Sequence, residues 1–201
     1  IVSHAKTLGY TPTSARAAKA TVDVTLNTND ASLTMPAGTV FNTSVDSVDY
    51  KFSTITDVTK SNTGNSIPFL NTDIYEGTFI TTRYTVDSSD VDQRFLLTNN
   101  RADTTTLTVK VQTSSSDSTT TTYTEATDIT QVSASSNVYF LQEVEAGLFE
   151  IYFGDGVIGS ALSDGNIVIF TYVVSNKSLA NGAALFTNAA TIASVSDVAV
   201  A

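Results

Sequence analysis

VYFLQEVEAGLFEIYFGDGVIGSALSDGNIVIFTYVV, residues 138–174, is the stretch whose reading decides the fold. Phe149, Ile151 and Phe153 alternate with Leu148, Glu150 and Tyr152, the period of a strand with one face in a core. On this reading Glu150 points outward. Gly154-Asp155-Gly156 ends that strand with residues that tolerate positive φ, and Asp164-Gly165 begins the next. Ile167 to Val174 is apolar on both faces apart from Thr171, as expected of a strand covered on both sides.

Working outward, Val22, Val24 and Leu26 alternate with polar neighbours, as do Val48, Tyr50 and Phe52, and Leu107, Val109 and Val111. Phe79 to Val86 and Phe95 to Thr98 read as further strands. Thr113 to Thr122 (TSSSDSTTTT) is low in complexity, but with strands on either side it predicts a long exposed hairpin tip. Ser3 to Ala20, with Pro12 near its start and Ala15, Ala17, Ala18 and Ala20 within it, predicts the one helix.

The spacing therefore predicts a mainly β chain with a minor N-terminal helix, its short antiparallel strands forming two packed β modules. Residues 1–20 would be a helical entry segment and 21–87 the first β module. A polar, acidic break at Ser88 to Asp92 would open the second module, 88–175, and 176–201 would return to the first. The patterned ends, Ile1 and Ala201, read as those of a piece excised from a longer protein.

Composition supports the class. Thirty-four threonines and 23 serines favour strands and turns over helices. Ten basic against 20 acidic residues give a net charge of −10, the wrong sign for nucleic acid or an anionic membrane surface. With no cysteine, disulfides and thiolate chemistry are excluded.

Candidate chemistry is sparse. His4 is the single histidine, and no G-x-S-x-G elbow supplies a serine for a triad. Glu143, Glu145 and Glu150 crowd one hairpin, but nothing separates an acid from a nucleophile among them. Gly154, Gly156 and Gly159 match G-x-G-x-x-G, yet the sequence runs on into a strand where a phosphate site needs a helix. Asp155, Asp164 and Asn166 offer oxygen ligands for calcium but lack the D-x-D-x-D-G spacing, and turn formation explains them with less. The expectation is no enzyme, no cofactor and no metal. Gly154, Asp155, Gly156, Gly159, Asp164, Gly165 and Asn166 act instead as a structural turn signature.

The same stretch carries a resemblance. Phe140-Leu141-Gln142-Glu143-Val144, Phe149 to Gly159 (FEIYFGDGVIG), Asp164-Gly165-Asn166-Ile167-Val168 and Tyr172 resemble the signature of the baseplate J-like family. Within that family they look most like wedge subunits of the inner baseplate ring in T-even-type contractile-tailed phages. Arg94 to Leu97, Ala102 to Val109, Asn176-Lys177, Ala180 to Gly182, Pro36 to Thr39, Leu8 to Tyr10 and Arg16 to Ala18 extend the likeness along nearly the whole chain. The resemblance implies a structural, non-enzymatic virion component, assembled in the host cytoplasm. It would dimerise in the full-length protein and join other wedge proteins, with no nucleic-acid, membrane or small-molecule partner. The alternative from composition is a receptor- or glycan-binding adhesin, which clustered aromatics in a pocket would favour.

Overall fold

The computed structural model describes residues 13–188 and 190–201. Among the described residues strand accounts for 51%. The helical pieces among the described residues are three 3-10 turns, Ile129–Gln131, Glu145–Gly147 and Lys177–Ala180. The mainly β class is thus observed, but the entry helix is not. Residues 1–12 of that expectation, with His4, lie outside the described residues. Residues 13–18 are irregular and Lys19 already begins a strand. Alanine's helix propensity is a weak prior, and pairing of Lys19 and Ala20 with Tyr75 and Ile74 overrides it.

In chain order the strands are β1 (Lys19–Asn27), β2 (Ser32–Met35), β3 (Val40–Val45), β4 (Val48–Ser53), β5 (Val58–Ser61), β6 (Ser66–Glu76) and β7 (Thr78–Thr85). They continue with β8 (Phe95–Leu97), β9 (Ala102–Gln112), β10 (Thr120–Glu125), β11 (Val138–Glu143), β12 (Phe149–Phe153), β13 (Ile167–Val174) and β14 (Val198–Val200). The chain forms two compact units. One, central in sequence, holds Thr81–Thr171 with the described residues before Arg16. The other, flanking it in sequence, holds Arg16–Ile80 and Tyr172–Ala201. The chain passes from one unit to the other inside β7 and again inside β13, not at the polar break of Ser88 to Asp92.

The flanking unit is built on a five-stranded sheet ordered β14-β1-β6-β4-β3, with β2 and β5 as a separate ribbon. Val22, Val24 and Leu26 are buried as their alternation predicts, and pack with Phe41, Phe52, Ile67, Phe69 and Ile74. β6 changes phase midway. Ile67 and Phe69 face inward before the change, Ile74 and Glu76 after it. The slip is a β-bulge: Val22 pairs with Thr72 but Val24 with Phe69, leaving Leu70 and Asn71 opposite Asp23. Asn71 takes φ 53°, and its N–H donates to Asp23 Oδ1 at 2.7 Å.

The central unit carries a seven-stranded sheet ordered β7-β13-β9-β10-β11-β12-β8, curled towards a barrel. Its two edge strands are tied together. The Tyr84 hydroxyl on β7 donates to the Leu96 carbonyl on β8 at 2.8 Å, and the Tyr84 and Phe95 rings meet edge to face at 5.7 Å. Closing a sheet removes edges that would otherwise pair with another chain. Phe95, Phe153 and Tyr123 continue the aromatic contacts through the interior. Two details depart from the expected short antiparallel strands. β10 and β11 pair in parallel, and β6 and β9 each reach 11 residues. The hairpin tip is as expected, Thr120 pairing with Gln112 across the Thr- and Ser-rich turn.

Candidate functional site

The signature residues form two corners in the central unit. In the first, β12 ends at Phe153 and Gly154 forms a single parallel bridge with Ala161. Gly154 is at its closest to the backbone of Gly159: a Cβ on Gly154 would lie 2.2 Å from the Gly159 carbonyl carbon. No other residue fits there. Gly156 and Gly159 both take positive φ, 86° and 82°, so the turn needs their conformational freedom as well.

Asp155 closes the loop. Its Oδ1 accepts from the backbone N–H groups of Ile158 and Val157, each at 2.9 Å. These donors, Ile158 first, hold its carboxyl below the usual aspartate range. The Gly156 N–H donates to the Gly159 carbonyl at 3.0 Å. The Gly159 and Ser160 N–H groups donate in turn to the carbonyls of Ser133 and Ser136, at 3.1 and 2.8 Å. The corner is therefore pinned to the loop before β11. Its tip presents Val157 and Ile158 to solvent, 74% and 41% exposed.

The second corner, Asp164-Gly165-Asn166, is held by different segments. Asp164 Oδ1 accepts from the Ser88 N–H at 2.9 Å. The Gly165 N–H donates to the Val86 carbonyl at 2.9 Å, and the Asn166 carboxamide donates to the Thr113 carbonyl at 2.8 Å. Asp155, Asp164 and Asn166 thus serve as backbone partners at two separate turns. Among the described residues no group of three or more Asp, Glu, His or Cys side chains is placed to hold a metal ion.

Between the first corner and β8 lies a cleft of about 320 Å³, bordered by Asp90, Gln93, Phe95, Glu150, Tyr152 and Gly154. Glu150 shares its face of β12 with Tyr152, which is 41% exposed, yet is itself only 3% exposed. Arg94 covers it. Its Nε donates to Glu150 Oε1 at 2.9 Å and its second nitrogen reaches Oε2, a two-point pair that shields the carboxylate from solvent. Hydrogen bonding to Arg94 holds the Glu150 carboxyl below its ordinary value against the opposing effect of burial. Burial first, and a hydrogen bond to Glu150 second, push the Tyr152 hydroxyl up.

The other buried carboxylates also have partners. Glu76 accepts from the Asn176 N–H and carboxamide at 2.9 and 2.8 Å, and Asp103 from the Thr105 N–H at 3.0 Å. Tyr123 is buried edge to face against Phe153.

The flanking unit has a cleft of its own, about 370 Å³, between the β6 bulge and the segment entering β5. Thr56, Lys60, Leu70, Asn71, Asp73 and Tyr75 border it. Sequence reasoning misses this site because the bulge breaks the period of β6. The signal present was an exposed Leu70-Asn71 pair between two apolar runs of opposite phase. No family model matches the chain, and no curated protein is significantly similar to it.

Proposed function

We propose that the chain is a structural building block of a contractile-tail baseplate wedge, associating with itself and with other wedge proteins in the virion. One observation carries the reading. The residues of the resemblance build a corner that Asp155 ties to its own backbone through Oδ1, while its apolar tip, Val157 and Ile158, faces solvent. Such an arrangement serves shape and contact, since a catalytic or ligand-binding loop keeps polar groups available for its target. An exposed apolar pair on a stiff turn is also a suitable anchor for a protein interface, whose centre favours apolar side chains.

Co-sedimentation of the unmodified protein, the parent, with baseplate wedge proteins tests the reading. The parent is expected to enter the wedge complex, and a Val157→Asp, Ile158→Asp variant to remain outside it while keeping its melting temperature. A parent that stays outside, or a variant that joins as well as the parent, overturns the proposal.

A further inference from the structure

The flanking-unit cleft differs from every other polar cluster described above in having side chains with no internal task. The Asn71 carboxamide, the Thr56 hydroxyl and the Lys60 ammonium border it, and none of the three has a side-chain hydrogen bond or ion pair among the described residues. Asn71 is moreover set there by backbone geometry. A non-glycine residue at φ 53° within a strand is costly, and the Asp23 carboxylate holds it by its N–H. Bulges of this kind re-aim side chains beside functional surfaces.

The rest of the lining narrows the ligand. Tyr75 supplies a ring, with the Lys19 ammonium 5.7 Å from its centroid. Leu70, 58% exposed, supplies an apolar edge. Lys19 and Asp73 pair at 2.7 Å, and Asp73 also accepts from the Thr21 hydroxyl at 3.0 Å, so their charges cancel locally. Hydrogen bonding to Lys19 keeps the Asp73 carboxyl low, and the partner keeps Lys19 high. One unpaired cation, Lys60, is too little for a polyanion. What remains is an aromatic ring, an apolar edge, a planar carboxamide and a hydroxyl around a cleft of about 370 Å³, at the small end of ordinary ligand sites.

A pyranose matches that set: its C–H face needs a ring or an aliphatic edge, and its rim of hydroxyls needs groups that both donate and accept. We infer that the cleft bordered by Asn71, Tyr75, Thr56 and Lys60 binds a neutral saccharide of one to three residues. The inference is independent of the wedge proposal, because it rests on other residues in the other unit.

Amide chemical-shift mapping on the whole chain tests it, with methyl glycosides of glucose, galactose, mannose and N-acetylglucosamine and the corresponding linear trisaccharides as probes. At least one probe is expected to shift amides within 54–60 and 70–75, with a dissociation constant of about 1–10 mM. A trisaccharide that binds tighter than its monomer identifies an internal chain segment as the ligand, and equal affinities identify a terminal sugar. Asn71→Gly, which retains the positive φ but removes the carboxamide, should weaken binding at least about tenfold, as should Tyr75→Leu. Asp155→Asn in the other unit should leave binding unchanged. The inference is overturned if no probe shifts these amides at about 50 mM, if the shifts map elsewhere, or if both cleft variants bind like the parent.

Discussion

The Gly154 corner and the Asn71 bulge are both sharp departures from regular strand, and both use an aspartate to hold the backbone. Asp155 accepts from two N–H groups inside its own turn, whereas Asp23 accepts from a residue on the neighbouring strand. At the corner one carboxylate oxygen is committed to the turn, and the tip beyond it is apolar. At the bulge the backbone is held equally firmly, but the Asn71 side chain is left without a partner at the edge of a cleft. A turn that satisfies itself makes a shape. One that strains the chain to present an unpaired polar group makes a surface for recognition, and variants of each should therefore fail in different ways.

The largest effect is expected at Gly154. An added methyl group would sit 2.2 Å from the Gly159 backbone, which is itself pinned to Ser133. Gly154→Ala should destabilise the central unit by about 3 kcal/mol or more, the upper part of the range for single substitutions. The loss is read from the midpoint of urea unfolding. A variant that unfolds with the parent would mean that the corner opens freely, and the contrast with the bulge would disappear.

Arg94→Met comes next and has a pH signature. The folded-state value of Glu150 lies below 4.5, so the pair contributes stability above the unfolded value, and that stability is lost as pH falls through the folded one. Without Arg94, burial alone would raise the Glu150 value. The variant should be less stable than the parent at neutral pH, and the difference should close on acidification from about pH 5 to about pH 3. A gap that stays constant over that range would show that Arg94 acts through packing and not through its charge.

The same two regions show what was legible in the sequence. β12, β13 and the hairpin tip could be read because their periods run unbroken and their ends carry Gly, Asp or Ser. The burial of Glu150 is not legible because alternation reports which face a residue occupies, not whether an arginine 56 residues away will cover it. β6 went unread because one extra residue at Leu70-Asn71 swaps its faces, so neither half is long enough to show a period of two. Over its described residues, 13–20, the entry helix failed for the opposite reason. Local propensity around Ala17, Ala18 and Ala20 was clear, but a strand partner at Ile74 and Tyr75 outweighed it. The turn residues were legible as turns, while the unpartnered Asn71 depended on pairings 48 residues apart.

Tyr172 sharpens the comparison, because it too has an unpartnered polar group, but a buried one. It is 0% exposed and its hydroxyl has no hydrogen-bond partner among the described residues. Desolvation without compensation costs about 1–3 kcal/mol, whereas the open groups at the cleft remain wetted and incur no such cost. Tyr172→Phe should therefore stabilise the chain, by about 1 kcal/mol in urea unfolding. A loss of stability of that size would show that the hydroxyl is satisfied in solution.

The smallest effect on stability is expected for Asn71→Gly, and it is the most discriminating. If its side chain were structural, removing it would cost stability. If the position demands only a left-handed backbone, glycine should serve as well, because the Asp23 contact is made to the N–H and survives the change. Asn71→Gly should thus unfold within about 0.5 kcal/mol of the parent. Asn71→Val, with a β-branched side chain at the same φ, should lose about 1–2 kcal/mol. Equal losses in the two variants would make the carboxamide part of the fold and erase its difference from Asp155. A silent glycine beside a costly valine would leave the side chain with no structural task, the condition under which an asparagine held at this φ at the mouth of a cleft calls for a ligand.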